Sequence, residues 1–398
     1  MGKKKMPLLV KLILGIVLGI AIGLSTKAMG FLLPIQLLAT FNGLFGSFLS
    51  FVVPLLILSF VSVGIADLGG GAGKLLGLSV GMAYVSTIVF TLLAMFASQL
   101  IVFPALLTPN AVFSDLIDNP KNFLVSGLFS IPMPPALDVM TALLLAFVLG
   151  VGLTKIGDMG KPLFQGLLAF QKIIEKLIAA ILIPLLPIHI AGVFANMSYG
   201  GKAFEVMRMM MVVFGIILSY HAITLVIHFV VASIVQKKSP LKLFLTMFPA
   251  YVTALGTQSS AASIPVSKQQ MKQAGVREDI ANFTAPLFAT IHMPGSAITI
   301  STIAFSLMYM SGAPFDYSVA INFVLMLGIA MVAAPGVPGG AVMAASAILI
   351  SIMGFGETLL ALTIAMHLAQ DSFGTACNVT ADGALSLEID AIAGKMKE

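Results

Sequence analysis

Uninterrupted apolar runs dominate the sequence and limit what the chain can fold into. Several of them, such as 31–66 and 162–198, exceed 30 residues, whereas about 20 apolar residues suffice for one helix to cross a bilayer. Charged residues make up only 9% of the chain, against roughly 25% in soluble domains. The chain is therefore expected to be an integral membrane protein, which excludes soluble enzymes, nucleic-acid-binding proteins and secreted disulfide scaffolds.

The runs are typical of membrane helices rather than of barrel strands. Outer-membrane strands alternate apolar and polar residues over segments of about ten residues, but these runs are continuously apolar. Because lipid offers no hydrogen-bond partner, each span must satisfy its own backbone groups. Cys377 is the single cysteine, so the chain has no internal disulfide. We predict an all-α polytopic fold with about eight transmembrane helices.

The loop charges predict the orientation and two re-entrant hairpins. Basic residues lie on alternate connections between the apolar runs. We therefore expect a protein of the plasma membrane whose basic side, with both termini, faces the cytoplasm. This alternation holds only if 241–273 and 320–355 each enter and leave on one side, from opposite faces. The basic residues concerned are Lys3, Lys4, Lys5, Lys74, Lys155, Lys161, Lys237, Lys238, Lys242, Lys268, Lys272, Arg277, Lys395 and Lys397.

Three motifs interrupt the predicted membrane segments near their centres. The first, 257–265, is rich in small hydroxyl residues at the expected turn of the first hairpin, where simple small-residue packing is the alternative. The second, 290–296, places Pro294 beside Gly295, which breaks a helix and exposes carbonyl groups, or else only kinks it. The third, 334–340, combines prolines and glycines, as in a mobile hairpin tip or an ordinary turn.

A fourth motif puts two carboxylates inside the last apolar run. Asp371, Thr375, Asn378 and Asp382 are spaced at i, i+4, i+7 and i+11, so they form one stripe of a helix. Ionisable residues at membrane depth are costly and usually contact a ligand, an ion or a proton. Pairing with a neighbouring helix is the structural alternative. His367 extends the stripe by one turn.

In this order and spacing, the four motifs resemble the dicarboxylate/amino acid:cation symporter family, which has the glutamate-transporter fold. The likeness is strongest from Thr253 to Asp390, and within the family it is greatest to the sodium-coupled serine/threonine symporter branch. The resemblance implies a homotrimer that works by an elevator motion. It assigns 1–66 and 108–199 to a scaffold domain, and 67–107 and 200–398 to a mobile transport domain.

The resemblance also implies a set of site residues and no organic cofactor. Asp371 is expected to bind the α-amino group of an amino acid, and Asn378 its α-carboxylate. The implied substrate contacts are Ser259, Ser260, Ser296, Val337, Pro338, Gly339, Asp371, Gly374, Thr375 and Asn378. The implied sodium contacts are Thr290, His292, Met293, Asn378 and Asp382.

Two departures from the family pattern favour a neutral substrate. Members that carry acidic substrates have an arginine at the position of Gly374 or, alternatively, at that of Gln258. A buried substrate carboxylate without a cationic partner costs several kcal/mol. We therefore expect a serine-, threonine- or alanine-like substrate, with an acidic amino acid or dicarboxylate as the alternative.

A third departure concerns the coupling ion. Pro294 stands where the family has an aspartate that helps to hold a further sodium, while Thr87, the expected partner of that aspartate, is retained. This predicts fewer coupled ions than in glutamate carriers. His292 leaves open that a proton replaces sodium, because an imidazole titrates near neutral pH.

Other classes of membrane protein fit the pattern less well. An ion channel needs a continuous polar pore, whereas 371–382 form one compact site. An intramembrane aspartyl protease needs aspartates on two helices, so no enzymatic activity is expected. His189, His221 and His228 receive no role from the sequence.

Overall fold

The computed structural model describes residues 8–68, 73–109, 125–137, 139–201, 203–332, 334 and 339–395, and every regular element in these ranges is helical. The α-helices are α1 (Leu8–Met29), α2 (Leu33–Leu68), α3 (Gly73–Ala97), α4 (Phe103–Leu106), α5 (Val139–Lys155), α6 (Lys161–Leu177), α7 (Ile183–Tyr199), α8 (Ala203–Gln236), α9 (Pro240–Thr257), α10 (Ser260–Ala274), α11 (Glu278–Ile291), α12 (Pro294–Ser311), α13 (Tyr317–Val332), α14 (Gly340–Ser351) and α15 (Glu357–Lys395). Short π-helical segments, Ser98–Val102 and Ile178–Leu182, continue α3 into α4 and α6 into α7.

Six helical stretches in the described ranges are long and apolar enough to cross a bilayer. The helices α9, α10, α13 and α14 are shorter and pack as two helix–turn–helix pairs, at the positions predicted for the hairpins. The six stretches are Val10–Met29, Leu33–Ala66, Leu75–Leu106, Gly157–Tyr199, Ala203–Gln236 and Glu278–Ser311. The last helix, α15, is not among them because polar residues interrupt its apolar run.

The apolar run over 123–155 is broken before α5, as its prolines predict. Residues 125–137 contain no helix, and α5 begins only at Val139. Pro132, Pro134 and Pro135 explain this, because each lacks an amide donor and restricts the residue before it. The non-helical segment is fixed by Asn196 instead, whose side-chain amide bonds both backbone groups of Val125 at 2.8 and 3.0 Å.

The helices pack in two groups. In one, α1, α5, α6 and α7 pack around or beside α2; in the other, α3, α8–α12 and α14 pack against α15, and α13 packs against α3 and α14. The helix α14 also contacts α2. Almost every residue of α15 between 359 and 387 is buried. The polar stripe of α15 is therefore the axis of the second group, and its partners come from the surrounding helices.

A glycine repeat fixes the first group. Gly15, Gly19 and Gly23 lie one helical turn apart on α1, and a Cβ atom on any of them would collide with a backbone carbonyl oxygen of α7, at Pro187, Ala191 and Ala195 respectively. Small residues at this spacing let two membrane helices approach to backbone contact. The repeat is visible in the sequence as a glycine at every fourth position of the first apolar run.

Substituting alanine for these glycines tests the α1–α7 contact. Gly19→Ala is expected to lower the free energy of unfolding by about 1–3 kcal/mol through overpacking. The matched control is Gly77→Ala on α3, where an added Cβ meets no described atom within 4 Å and the better helix propensity of alanine stabilises. Thermal unfolding of the purified protein measures both, and a Gly19→Ala protein as stable as the control would contradict the packing.

Candidate functional site

Three helix ends converge on the polar stripe of α15. They are the α9–α10 turn, the start of α12 after the α11–α12 break, and the start of α14. The turn contacts Ser372 of α15, the start of α12 contacts Asn378, and the start of α14 contacts Asp371. Helix N-termini carry partial positive charge and free amide donors, so they favour anionic groups. The stripe and the three ends form the candidate site.

Asp371 is buried, and its carboxylate meets the start of α14. Its Oδ2 atom accepts a hydrogen bond of 2.7 Å from the Gly339 backbone amide. Gly339 has a φ of 76°, a left-handed conformation that glycine adopts without strain. Two other predicted contacts on this hairpin, Val337 and Pro338, lie outside the described residues.

The α9–α10 turn reaches the same part of α15 through Gln258. Its backbone is left-handed, with φ 53°, and its side-chain amide donates to the Ser372 hydroxyl over 3.1 Å. Ser259 caps α10, since its hydroxyl accepts a bond of 3.2 Å from the amide of Ala262. Ser260 is buried in the first turn of α10. The turn therefore brings amide and hydroxyl groups next to Asp371.

The break between α11 and α12 follows from Pro294. The helical pattern would require its amide to bond the Thr290 carbonyl, but proline has no amide hydrogen. His292 and Met293 are correspondingly non-helical, with φ −113° and −127°. The amides of Gly295 and Ser296 bond Asn378 Oδ1 instead, at 2.8 and 3.3 Å.

This break leaves carbonyl oxygens without backbone donors. Among the described residues, no backbone hydrogen bond ends on the carbonyl groups of Thr290, Ile291 or His292, whereas that of Met293 accepts from Ala297. Carbonyl and carboxylate oxygens are the ligands that hard cations prefer. The break and the nearby Asp382 carboxylate thus offer the donor set of an alkali cation.

Asp382 ends a buried chain of side chains. Its Oδ1 atom lies 2.8 Å from His292 Nδ1, His292 Nε2 lies 2.9 Å from the Ser86 hydroxyl, and that hydroxyl lies 3.1 Å from His228 Nε2. A carboxylate only accepts, so Nδ1 of His292 carries the proton, and a neutral ring then accepts from Ser86. The chain fixes the His292 ring against one oxygen of Asp382.

Gly295 and Gly374 face each other where α12 crosses α15. A Cβ on Gly295 would lie 2.6 Å from the Gly374 carbonyl oxygen and 2.7 Å from the Cys377 Cβ, which real structures do not show. A Cβ on Gly374 would lie 3.6 Å from the Ser296 hydroxyl, an ordinary contact. Gly295 is therefore needed for packing, whereas a Cβ atom at Gly374 would fit without a clash.

The charge of the site is one-sided. Asp371 and Asp382 are the acidic residues among the buried residues of the described chain, and these buried residues include no lysine or arginine. The Thr375 side chain lies between the two carboxylates on the stripe and is buried. The arrangement can hold cationic groups at two places, with neutral amides and hydroxyls around them.

Sequence reasoning missed several residues of the site. Ser86, which received no role from the sequence, contacts His292 at the α11–α12 break. The Thr87 hydroxyl, whose expected aspartate partner is replaced by Pro294, has no hydrogen-bond partner in the described part of the chain. His228 received no role, and His221, also unassigned, reaches the Gly295 carbonyl oxygen with Nε2 at 3.0 Å. The signal available was that imidazoles inside apolar helices need a partner.

The fold and the site define a polytopic helical membrane protein with a buried polar stripe on its last helix. A family model described as the Sodium:dicarboxylate symporter family matches residues 8–392. The chain therefore belongs to the sodium:dicarboxylate symporter family, as its motifs predict, and it is a transport protein rather than an enzyme.

Two relatives illustrate the range of the family. The chain is 29% identical over 363 residues to the serine/threonine transporter SstT of Streptococcus suis (strain 05ZYH33), an alignment that covers 85% of this chain and 94% of that protein. It is 28% identical over 240 residues to excitatory amino acid transporter 2 of Homo sapiens, over 58% of this chain and 41% of the human protein. The second match thus spans less than half of that relative.

The two facing glycines give a matched test of the site geometry. Gly295→Ala is expected to lower the free energy of unfolding by about 1–3 kcal/mol, because its Cβ has no space. Gly374→Ala is expected to leave it within about 0.5 kcal/mol of the parent protein. Thermal unfolding in detergent measures both values; equal destabilisation by the two variants would contradict the described crossing of α12 and α15.

Proposed function

We propose that this protein is a sodium-coupled symporter of small neutral amino acids, with serine, threonine or alanine as the substrate. The observation that carries the proposal is the pair of buried carboxylates, Asp371 and Asp382, surrounded by amides and hydroxyls without a buried lysine or arginine. The name of SstT, a serine/threonine transporter, supports this substrate class.

An amino-acid zwitterion complements the substrate part of the site. Its ammonium group replaces the Gly339 amide on the Asp371 carboxylate, which is a stronger, charge-assisted contact. Its carboxylate meets the start of α10 at Ser259 and Ser260. The Asn378 side-chain amide donates one hydrogen to the Ser296 hydroxyl over 2.9 Å, and its other hydrogen is assigned to the substrate carboxylate. Its side chain is assigned to the part of the site at Gly374, with Ser296 and Thr375; the expected contacts Val337 and Pro338 lie outside the described residues.

Sodium complements the second carboxylate. Asp382 receives one hydrogen bond from the His292 side chain. At the same helix break, the carbonyl groups of Thr290 and His292 accept no backbone hydrogen bond from the described residues. The carbonyl oxygens around Met293 and Asn378 complete the proposed contacts. Because a neutral imidazole contributes no charge, the Asp382 carboxylate still needs a cation in this apolar setting.

Charge balance suggests two coupled cations for each substrate. Ionised Asp371 and Asp382 bring two negative charges, the zwitterion brings none, and two sodium ions neutralise the loaded site. An acidic substrate would add one uncompensated negative charge, because no arginine stands at Gly374 or Gln258. A count of two cations agrees with Pro294, which replaces the aspartate that would give the site a third carboxylate.

Proton coupling in place of sodium coupling is the second candidate, favoured by the bond between His292 and Asp382. Uptake that follows a pH gradient and ignores sodium would select this version. The two versions share the substrate part of the site, so they are separated by the driving ion alone.

We further propose an elevator mechanism in a homotrimer of the plasma membrane, with both termini in the cytoplasm. The group around α2 would be the scaffold, 1–66 and 108–199, and the group around α15 the moving domain, 67–107 and 200–398. The division of helix packing into these two groups supports this assignment. The helix pairs α9–α10 and α13–α14 would be re-entrant hairpins.

Competition of unlabelled amino acids with labelled serine in proteoliposomes tests the proposal. Uptake is expected to require an inward sodium gradient, to saturate, and to be inhibited by threonine and alanine but not by aspartate. Inhibition by aspartate without inhibition by serine would overturn the neutral substrate class. Serine-independent sodium flux that does not saturate would indicate a channel.

Separate substitutions of the two carboxylates should separate the two ligands. Asp371→Asn is expected to weaken serine binding by about 10- to 100-fold, since a charge-assisted hydrogen bond contributes about 1.5–3 kcal/mol, while sodium still raises the melting temperature. Asp382→Asn is expected to abolish the sodium effect. The control is Asp390→Asn. The Asp390 carboxylate lies outside the site and forms an ion pair of 2.7 Å with Arg277, so this variant should keep both ligand effects.

These shifts are measured as ligand-dependent melting temperatures of the purified protein. If Asp371→Asn lost the sodium effect and kept the serine effect, the two assigned roles would be exchanged and the proposal would be wrong.

Restoring a cation should change the substrate class. Gly374→Arg introduces a guanidinium group at a position where a Cβ atom makes only ordinary contacts, and this group can form paired bonds with a carboxylate. Aspartate is then expected to inhibit serine uptake in this variant, and Gly374→Gln serves as the uncharged control of similar length. A Gly374→Arg protein that folds, binds sodium and remains insensitive to aspartate and glutamate would contradict the assigned direction of the substrate side chain.

A further inference from the structure

An apolar groove lies between α8 and α9 and reaches α15 at Phe373. Its volume is about 660 Å³, and the α8 residues that line it run from Leu218 to Val230 at helical spacing. Twelve residue steps of a helix measure about 18 Å. This is close to one leaflet of the hydrocarbon core, which is about 15 Å, or half of the total thickness. The groove has the length of a lipid acyl chain.

The two ends of the groove differ in chemistry. Tyr251 and Phe373 lie at one end, and Pro240 and Leu241, the first residues of α9, lie at the other. The α8–α9 connection at this second end contains Lys237 and Lys238, and Lys242 follows Leu241. An apolar channel therefore ends directly beside a cluster of ammonium groups, where the chain leaves the apolar helices.

Two of these lysines are available for an outside anion. Lys237 and Lys242 are exposed, and neither is within ion-pair distance of a carboxylate in the described part of the chain. Lys238 is different, because its Nζ atom donates to the Ala274 carbonyl oxygen over 2.8 Å and ties the connection to α10. Long lysine side chains place their charge at the level of lipid headgroups while their stems lie against apolar surface.

The backbone at Lys237 is unusual. It has a φ of 53°, and the amide of Lys238 bonds back to the Ser233 carbonyl over 3.3 Å, as in a helix end that normally uses glycine. A side chain in this left-handed conformation costs roughly 1–2 kcal/mol. A charged residue therefore occupies a position at which glycine would be more stable, which is a sign of a surface role.

We propose that this groove and the adjoining lysines bind an anionic phospholipid of the surrounding bilayer. One acyl chain lies between α8 and α9, and the negatively charged headgroup lies at Lys237 and Lys242. The contact with the acyl chain does not by itself distinguish one phospholipid from another, since all of them have acyl chains. The charge complementarity selects the anionic ones, because lysines near an anionic headgroup each add favourable interaction energy.

The absence of tryptophan from the sequence provides a clean probe. Val226→Trp puts the only indole in the groove, and Ile223→Trp puts it on the same helix outside the groove; the native residues are 62% and 53% exposed. Each full-length variant is reconstituted in phosphatidylcholine vesicles with increasing brominated phosphatidylglycerol or brominated phosphatidylcholine. Quenching of the indole gives the relative binding constant of the two lipids at each position.

The proposal predicts a preference for the anionic lipid of about fivefold or more at position 226 and a ratio of about one at position 223. Adding Lys237→Gly and Lys242→Gln to the Val226→Trp protein should bring its ratio to about one. Because glycine fits the left-handed backbone at 237, this change should not lower the melting temperature. The control pair Lys155→Gln and Lys161→Gln, on the other group of helices, should leave the ratio unchanged.

Two results would overturn the proposal. Equal quenching by both lipids at position 226 would mean that the groove holds ordinary bilayer lipid. An anionic preference of the same size at positions 223 and 226, or one that survives removal of Lys237 and Lys242, would mean a general surface-charge effect without a site.

Discussion

The interruption of the helix between α11 and α12 is the constraint on which the rest of the site depends. Pro294 cannot complete the backbone bonding pattern, and Asn378 takes over the amides that follow it. This exchange ties α12 to α15 at one level of the bundle, with Gly295 permitting the contact. It also leaves carbonyl oxygens beside Asp382. One missing amide hydrogen therefore positions both a helix N-terminus for anionic groups and a set of oxygens for cations.

The second determinant is charge without internal compensation. A protein of this composition can bury Asp371 and Asp382 only if ligands, hydrogen bonds or both stabilise them. In the described structure, Gly339 donates to one carboxylate and His292 to the other. Both donors are neutral, so the carboxylates keep their demand for cations. We propose that this demand is the physical basis of coupling, because the substrate ammonium and the ions each contact a carboxylate, and the loaded site is neutral only with two cations bound.

Much of this could be predicted from the sequence because the motifs are local. The helix break at Pro294, the paired short helices and the α15 stripe each follow from residues adjacent in the chain or at helical spacing. The Ser86–His228 extension could not, since its members are 142 positions apart and each is a lone polar residue in an apolar helix. The proline break before α5 is also local, but the contact by which Asn196 holds the backbone of Val125 is not, since the two residues are 71 positions apart.

The central claim is that two buried carboxylates and a zwitterion require two monovalent cations. The direct measurement is the reversal potential of net serine flux in proteoliposomes, recorded at a series of sodium gradients with pH held equal on both sides. The account predicts a slope that corresponds to two sodium ions and two positive charges for each serine. A slope of one or three ions, or a flux indifferent to the sodium gradient, would contradict it.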